Sequence, residues 1–298
     1  GDHAVYQRPL KQWIMRITAF ADRLINDLNI DLPDGNGEKF SLNWPDAVKR
    51  MQENWIGRSL GAEVEFGVLT PGSDDVADTL SVFTTRPDTL FGATFMVVAP
   101  GHPLVDLGSD TCLVPRDWPM DVPNVWKGDH PSVGIQETIG AYQEAAKKKE
   151  MSREEEKDKT GVFTGFYGRN PVNGVRIPVF IADYVSMGYG SGAIMAVPAH
   201  DDRDHAFAKK YGLEIVEVVK APEGADEQCY TGNGISINSP TQGESPFGMT
   251  GKTTPEAKAA IISALEREAI GKATVNYRLR DWIFSRQRYW GEPFPLAS

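Results

Sequence analysis

The sequence predicts an α/β fold in which short strands form a β-barrel-like sheet with surrounding helices. Two observations predict it. Short stretches between residues 62 and 197 alternate in polarity or are wholly apolar and β-branched, which is typical of strands. Amphipathic helical stretches lie among them without strict β-α-β alternation, which favours a mixed sheet over a doubly wound parallel one.

Composition fits a globular chain of 298 residues, with 41% hydrophobic and 24% charged residues. No apolar run approaches the ~18 residues of a membrane span, and residues 1–3 lack the pattern of a signal peptide, so they resemble the start of a fragment. Two cysteines, Cys112 and Cys229, are too few for a disulfide framework and suit a reducing compartment. The net charge of −10 argues against a grip on a long duplex, so a nucleic acid would be held through few phosphates.

The first 57 residues are predicted to be helical. Apolar residues recur at three- and four-residue spacing from Lys11 to Leu28, which predicts an amphipathic helix. A Pro/Gly/Asn stretch from Leu32 to Glu38 interrupts this pattern. A second helix is predicted over 45–55, with Pro45 at its start and Asp46 in its first turn.

Strand patterns begin beyond Gly57, and helices are interspersed with them. The predicted strands are Glu63–Val68, Leu80–Thr85, Phe95–Ala99, Gly161–Phe163, Arg176–Ile181 and Ala193–Val197. The predicted helices are Ile139–Lys157, Arg203–Tyr211 and Thr254–Ala269. The segment from Asp106 to Pro131 is rich in Pro, Asp and Trp without any period, which indicates an inserted loop.

The first candidate functional motif runs from Phe83 to Gly92. A predicted strand ends in Thr84 and Thr85, and a turn containing Pro87 leads to a predicted helix start. An ordinary explanation exists, since an aspartate often caps a helix and threonines often end a strand. However, three threonines, an arginine and an aspartate within six residues exceed what capping needs, so a functional turn is favoured.

The second motif joins the glycines of 188–192, an apolar strand and a His/Asp cluster at 198–205. The glycines precede a strand and lack a Gly-Lys-Ser/Thr ending, which argues against a phosphate-binding loop. They instead favour close backbone approach to a ligand or another strand. The histidines His200 and His205 are five residues apart, a poor spacing for two metal ligands on one helix face. A helix cap combined with a functional carboxylate therefore fits better than a metal site.

The third motif mixes basic and aromatic residues over 275–282 and 285–293. Such a mixture suits a nucleic-acid surface or a buried junction to a further part of a longer protein, and the second interpretation is favoured.

Four strings, at 54–59, 84–92, 188–204 and 278–291, closely resemble leucyl-tRNA synthetases of the bacterial or organellar type. Related valyl and isoleucyl enzymes share the Thr-Thr-Arg-Pro start, whereas 88–92 and 195–201 are similar to the leucyl family. The family's His-Ile-Gly-His and Lys-Met-Ser-Lys-Ser signatures for ATP do not occur. The resemblance implies an editing domain at 58–276, with catalytic-domain segments at 1–57 and 277–298. The insert between Val105 and Ile135 departs from the family in length and composition.

The resemblance implies hydrolysis of the ester between a wrong amino acid and the terminal adenosine of tRNA(Leu). Norvaline, isoleucine and methionine are the errors the family is expected to correct. A hydrophobic pocket separates near-isosteres by only about 1–3 kcal/mol, as in related synthetases, so a second sieve is needed. No metal or other cofactor is expected for editing, because ATP and Mg belong to the synthetic domain.

Site roles follow from the resemblance residue by residue. Asp204 matches the aspartate that binds the substrate α-ammonium, and Thr89 matches the threonine whose bulk excludes leucine. Thr84 and Thr85 are expected to contact the substrate or the attacking water. The other residues expected at the substrate are Arg86, Asp88, Tyr189, Met195, Val197, His200, Asp201 and Arg203. His200 is also the nearest candidate for a general base, with a substrate hydroxyl as the alternative.

The expected partners are the misacylated 3′ end of tRNA(Leu) and the rest of the synthetase in cis. A monomer without membrane association is expected in the cytoplasm, with the mitochondrion or plastid as alternatives. Two other functions stay open. One is a metal-dependent hydrolase using His200, Asp201, Asp204 and His205, and the other is a non-catalytic tRNA-binding insert.

Overall fold

A computed structural model of the protein describes residues 13–33, 39–108, 113–128, 134–152, 159–187, 190–224 and 229–283. The chain divides into two compact units, one formed by 1–59 and 275–298 and the other by 60–274. No helix in the described ranges is both long and apolar enough to span a membrane.

Thirteen strands and five α-helices can be delimited in the described residues. The strands are β1 (Ile14–Met15), β2 (Asp31–Pro33), β3 (Lys39–Ser41), β4 (Arg58–Leu69), β5 (Val76–Thr84), β6 (Phe95–Val98), β7 (Val162–Arg169), β8 (Arg176–Ile181), β9 (Ala193–Ala196), β10 (Val219–Lys220), β11 (Ile235–Ser236), β12 (Gly271–Tyr277) and β13 (Trp282–Ile283). The helices are α1 (Ala21–Asn26), α2 (Asp46–Ile56), α3 (Ile135–Ser152), α4 (Asp202–Tyr211) and α5 (Thr254–Arg267).

The helix predicted over 11–28 is wrong in its first half. Ile14 and Met15 form β1, which pairs antiparallel with β13, and a 3₁₀ helix at Ile17–Phe20 precedes the short α1. The strand partner lies near the other end of the sequence, so helical periodicity is overridden by a long-range pairing. The second helix is confirmed as α2, with Pro45 directly before it.

The second unit is built on a mixed sheet, which confirms the predicted fold class. Its strands follow the order β12-β4-β7-β8-β6-β9, and β5 pairs with β4. The β6–β8 pair is parallel, whereas β4–β5, β4–β7, β7–β8 and β6–β9 are antiparallel. The strand β5, which lies off this path, packs against the terminal strand β9, so the sheet curves as the barrel-like prediction expects.

Alternation in the sequence accounts for the strands that line the core. In β4 the side chains of Val64, Phe66 and Val68 are fully buried, while the alternating Glu63 and Glu65 are not. A second, aromatic part of the core joins α4 to the sheet: Phe207 stacks on Phe95 with ring centroids 5.1 Å apart and on Tyr211 at 4.3 Å. This packing fixes the position of α4 against the sheet.

Several other predictions agree with the structure and some fail at the ends of elements. The helix α3 begins at Ile135, four residues before the predicted Ile139, because both isoleucines are buried on one helix face. The predicted C-terminal part of that helix, 153–157, lies outside the described residues. The two-residue strands β10 and β11 and the edge strand β12 were not predicted, since they are too short or too exposed to show a pattern.

The described part of the predicted inserted loop contains no α-helix or strand, in agreement with the prediction. It docks through Trp126, whose indole Nε1 donates to the Tyr211 carbonyl at 2.8 Å. The Trp126 ring also contacts Phe163 and Phe180, at centroid distances of 5.3 and 5.4 Å. The loop therefore extends the aromatic core that supports α4.

Candidate functional site

Sheet topology brings the first two sequence motifs together. The strands β6 and β9 pair antiparallel with Phe95 opposite Ala196, so the residues before β6 lie beside those after β9. We call residues 84–89 the threonine turn and residues 197–204 the aspartate turn. The absence of a side chain at Gly92 lets the backbone after the threonine turn pack closely against the aspartate turn and Val216. A Cβ at this position would lie 2.9 Å from the Val216 carbonyl oxygen and 3.2 Å from Val197 Cγ1.

The aspartate turn separates a capping residue from a second carboxylate. Asp201 is the N-cap of α4, and its Oδ1 accepts the backbone N–H groups of Arg203 and Asp204 at 2.9 and 3.2 Å. Arg203 is largely exposed and its guanidinium pairs with the Asp201 carboxylate at 3.3 Å. Capping is thus done by Asp201, which leaves the side chain of Asp204 for another role.

Asp204 is a buried carboxylate in which one oxygen accepts a hydrogen bond and the other has no partner among the described residues. Its Oδ2 accepts the Val197 backbone N–H at 2.9 Å. Its Oδ1 is buried and has no hydrogen-bond partner among the described residues. Burial, followed by the nearby Asp201 charge, raises the pKa of Asp204 to about 7. A cationic group placed against Oδ1 would relieve this cost and hold the carboxylate ionised.

The threonine turn is organised by an ion pair between the buried Asp88 carboxylate and the partly buried Arg86 guanidinium. Arg86 Nη2 lies 2.9 Å from Asp88 Oδ2, and its Nε lies 3.1 Å from Oδ1. Asp88 is 1% exposed, so the pair needs this two-point geometry to offset desolvation. Asp88 lies in the first turn of a 3₁₀ helix at Pro87–Gly92 and is not its cap.

The threonines of this turn differ in their surroundings. Thr84 Oγ1 accepts the Arg86 backbone N–H at 3.0 Å, so its hydroxyl proton is available for another acceptor. Thr85 is exposed at the surface of the turn. Thr89 is buried and donates its hydroxyl to the Arg86 carbonyl at 2.8 Å. The turn thus offers hydroxyl groups at its start and a fixed methyl-bearing side chain at its end.

The hydrogen bonds of His200 argue against its predicted role as a polar substrate contact or a general base. Its Nε2 accepts the backbone N–H groups of both Val218 and Val219 at 3.0 Å, and its Nδ1 lies 2.8 Å from the Tyr230 carbonyl oxygen. These partners define a neutral ring that carries its proton on Nδ1. Burial lowers the pKa of His200, which also favours the neutral form. Neither nitrogen is free to accept a proton from water.

A segment that sequence analysis missed crosses both turns. We call residues 229–234 the strap. The Arg86 guanidinium donates through Nη1 to the carbonyls of Thr231 and Gly232 at 3.0 and 3.3 Å, while His200 holds the carbonyl of Tyr230. These contacts use backbone carbonyls of the strap, which leave no residue-type signal in a sequence. Its Gly-Asn-Gly composition indicates a turn and nothing more.

The remaining predicted site residues have mixed outcomes. Met195 and Val197 are buried at the end of β9 and just beyond it, and their contact with a substrate stays a prediction. Tyr189 lies outside the described residues. In the part of the chain that the structure describes, no three His, Cys, Asp or Glu side chains form a group suited to a metal ion. His205 Nδ1 lies 2.9 Å from the Pro198 carbonyl oxygen, so neither histidine of the motif presents two free nitrogens.

Comparison with known families gives one matching model. The model described as "Leucyl-tRNA synthetase, editing domain" matches residues 53–111 and 133–266. The gap between the two matched parts falls in the predicted inserted loop. All segments that form the two turns and the strap lie inside the matched residues.

Curated relatives and a solved structure agree with this match. Leucine–tRNA ligases from Salinispora tropica, Saccharopolyspora erythraea and Mycobacterium tuberculosis are 51%, 50% and 48% identical over the whole chain. The chain spans only 30%, 29% and 28% of their lengths. A crystal structure of the LeuRS–tRNA–LeuAMS ternary complex from Agrobacterium radiobacter is 31% identical with a TM-score of 0.61, covering 97% of this chain and 28% of that one.

Proposed function

The chain belongs to the leucyl-tRNA synthetase editing-domain family, and from this premise we propose that it hydrolyses the ester of misacylated tRNA(Leu). The observation that carries the proposal is the free Oδ1 of Asp204. An aminoacyl ester carries an α-ammonium next to its carbonyl, and a buried carboxylate oxygen without a partner is a matched acceptor for it.

The ammonium contact orients the ester for attack. With the ammonium on Asp204, the ester carbonyl extends toward the threonine turn, where the hydroxyls of Thr84 and Thr85 can donate to it or hold the water. Water adds to the carbonyl carbon, the bond from that carbon to the ribose oxygen breaks, and the proton of the water passes to the ribose. The products are the free amino acid and tRNA(Leu) with an intact 3′ end. Positioning and carbonyl polarisation provide most of the acceleration for such an activated ester.

The proton of the attacking water needs an acceptor other than His200. Both nitrogens of His200 are engaged with backbone groups, so proton uptake there would break two hydrogen bonds. The neighbouring hydroxyl of the terminal ribose is the acceptor we propose. The chain then supplies orientation, and the substrate supplies the group that relays the proton.

Selection against leucine is assigned to Thr89. Its side chain is buried and its hydroxyl is fixed on the Arg86 carbonyl, so the methyl group has one position. A fixed methyl group beside the bound side chain discriminates by shape, which is the property needed to reject the γ-branched side chain of leucine. Norvaline, isoleucine and methionine are the proposed substrates.

Binding of tRNA is proposed to be local. The net charge of −10 favours contact with the single-stranded 3′ end, while the rest of a longer synthetase holds the tRNA body. The monomeric state and the cytoplasmic location stay predictions.

The test is a single-turnover deacylation assay with the 298-residue chain in excess over norvalyl-tRNA(Leu) and isoleucyl-tRNA(Leu). We expect release of both amino acids, with Leu-tRNA(Leu) spared. Binding of tRNA without release would favour the non-catalytic insert, and activity that depends on added zinc or manganese would favour the metal hydrolase. Either outcome would overturn the proposal.

A further inference from the structure

The strap connects the two turns of the site. One side chain from each turn hydrogen-bonds to backbone carbonyls of the strap. Arg86 comes from the threonine turn and holds the carbonyls of Thr231 and Gly232. His200 comes from the aspartate turn and holds the carbonyl of Tyr230. Three consecutive carbonyls of the strap are therefore held by the two turns, the first by the aspartate turn and the next two by the threonine turn.

The strap is also fixed at its ends. Cys229 is buried, with its Sγ 3.6 Å from the Pro198 carbonyl oxygen, which ties the start of the strap to the aspartate turn. Gly234 exchanges hydrogen bonds with Thr254: its N–H donates to Oγ1 at 3.0 Å, and its carbonyl accepts the Thr254 N–H at 3.0 Å. These bonds tie the end of the strap to the first turn of α5. A displacement at one anchor is thus passed to the others.

We propose that the strap holds the threonine turn at a fixed distance from the aspartate turn, with His200 as the positioning residue that couples them. The inference rests on the proposed editing function. The ammonium of a substrate lies on Asp204 and its carbonyl lies at the threonine turn, so the separation of the two turns decides whether the ester is aligned. An error of about 1 Å in such an alignment can cost roughly 100-fold in rate.

His200 performs two tasks that different substitutions separate. Its Nδ1–H holds the strap, and its Nε2 accepts the backbone N–H groups of Val218 and Val219 at the start of β10. In His200→Asn, the amide nitrogen occupies the position of Nδ1 and keeps the donor to Tyr230, while the Nε2 acceptor is lost. In His200→Gln, the amide oxygen occupies the position of Nε2 and keeps the acceptor, while the strap contact is lost.

The experiment compares these two variants by single-turnover deacylation of norvalyl-tRNA(Leu), well below the melting temperature of each. We expect His200→Gln to lower the maximal rate constant about 10- to 100-fold with a smaller change in half-saturation, and His200→Asn to stay within about threefold of the parent. A matched control is His102→Gln, because His102 is as buried as His200 and caps a different 3₁₀ helix through Nδ1. It should keep the parental rate.

Hydrogen exchange supplies a readout that does not depend on activity. Loss of the strap contact in His200→Gln should speed amide exchange over 84–89 as well as over 229–234, whereas His200→Asn should leave the threonine turn protected. Equal rates and equal exchange in the two variants would overturn the inference while the parental chain still hydrolyses its substrate. An inactive parental chain would instead overturn the proposed function, and exchange in the threonine turn would still show whether the strap couples the turns.

Discussion

Asp204 accepts the backbone N–H of Val197 through Oδ2 at 2.9 Å, across the turn that joins β9 to α4. This bond fixes the carboxylate so that Oδ1 stays buried and without a partner among the described residues. The arrangement is costly for a free protein, because an ionised oxygen is withdrawn from water without compensation. Such a cost is expected where a ligand later provides the missing charge.

Removal of the Asp204 charge should therefore stabilise the chain and abolish hydrolysis. Asp204→Asn keeps an oxygen for the Val197 N–H and loses the buried charge, so the melting temperature at pH 8 should rise by a few degrees, at roughly 2–4 °C per kcal/mol. Deacylation of norvalyl-tRNA(Leu) should fall at least 100-fold. Thermal melts and single-turnover assays on the same samples measure both. A variant that melts lower and still hydrolyses would mean that Asp204 has only a structural role.

The raised pKa of Asp204 sets a direction for pH dependence. With a folded-state pKa of about 7, above its ordinary value of 3.8, the folded chain retains a proton that the unfolded chain releases. The contribution of this group to stability therefore decreases as pH rises from about 4 through 7. The deacylation rate should increase as Asp204 ionises, because only the ionised carboxylate binds an ammonium.

Deacylation profiles between pH 6 and 8.5 test this expectation. When the protein is below saturation, the rate should rise with an apparent pKa near 7 as Asp204 ionises, and it should fall again above about pH 7.7–8.0, where the substrate α-ammonium loses its proton. When the protein saturates the substrate, the rise in rate should occur at a lower pH than below saturation, because the bound ammonium lowers the pKa of Asp204. If the rate measured with the protein below saturation does not change over this pH range, the assignment of Asp204 as the ammonium-binding group is contradicted.

Sequence patterns predicted what depends on local periodicity and residue type. The alternation around Val64 and Phe66 identified β4, and Thr254 to Ala269 identified α5 nearly to its ends. Patterns failed where long-range pairing decides the structure, as at Ile14, which pairs with Ile283 in β1 and β13. At the site, the motifs identified the two turns. The role of the strap was not predicted. Arg86 and His200 bind its backbone carbonyls, and because every residue type has a carbonyl, the sequence carries no signal of these contacts.

Chelation should leave hydrolysis unchanged. The histidines of the aspartate turn are engaged with backbone groups, His200 through both nitrogens and His205 through Nδ1, so they make a poor ligand set. Treatment with EDTA followed by dialysis should retain the parental rate on norvalyl-tRNA(Leu). Inactivation that zinc or manganese restores would support the metal-dependent alternative.

The Arg86–Asp88 pair should show the penalty of a buried charge left alone. Arg86→Met removes the partner of Asp88, which is 1% exposed; breaking a fully buried pair costs about 3–5 kcal/mol, and the partial exposure of Arg86 places the expected loss at or below the lower end of that range. Adding Asp88→Asn should recover part of that loss, because the amide carries no charge. Urea unfolding measures both. The exposed pair Arg23–Asp27 offers a control, where Arg23→Met should cost no more than about 0.5 kcal/mol. Equal losses for the single and double variants would contradict the expectation.

Thr89 gives the most direct test of how the site selects its substrate. If its bulk excludes leucine, Thr89→Ala should admit the correct amino acid, and the variant should hydrolyse Leu-tRNA(Leu), a reaction that a merely destabilised chain cannot gain. The alanine also loses the hydroxyl bond to the Arg86 carbonyl, which by itself costs about 0.5–1.5 kcal/mol.

Two further substitutions at Thr89 separate volume from hydrogen bonding. Thr89→Val keeps the branched shape and loses the bond, so it should continue to spare Leu-tRNA(Leu). Thr89→Ser keeps the bond and loses the methyl group, so it should hydrolyse Leu-tRNA(Leu) at a rate between those of the parent and the alanine variant. Thr89→Tyr should block hydrolysis of norvalyl-tRNA(Leu) too, since overfilling a formed pocket displaces its neighbours. The measurement is the deacylation rate of both esters for all four variants. If Thr89→Ala still spares Leu-tRNA(Leu) while hydrolysing norvalyl-tRNA(Leu) normally, the steric selection lies at another residue.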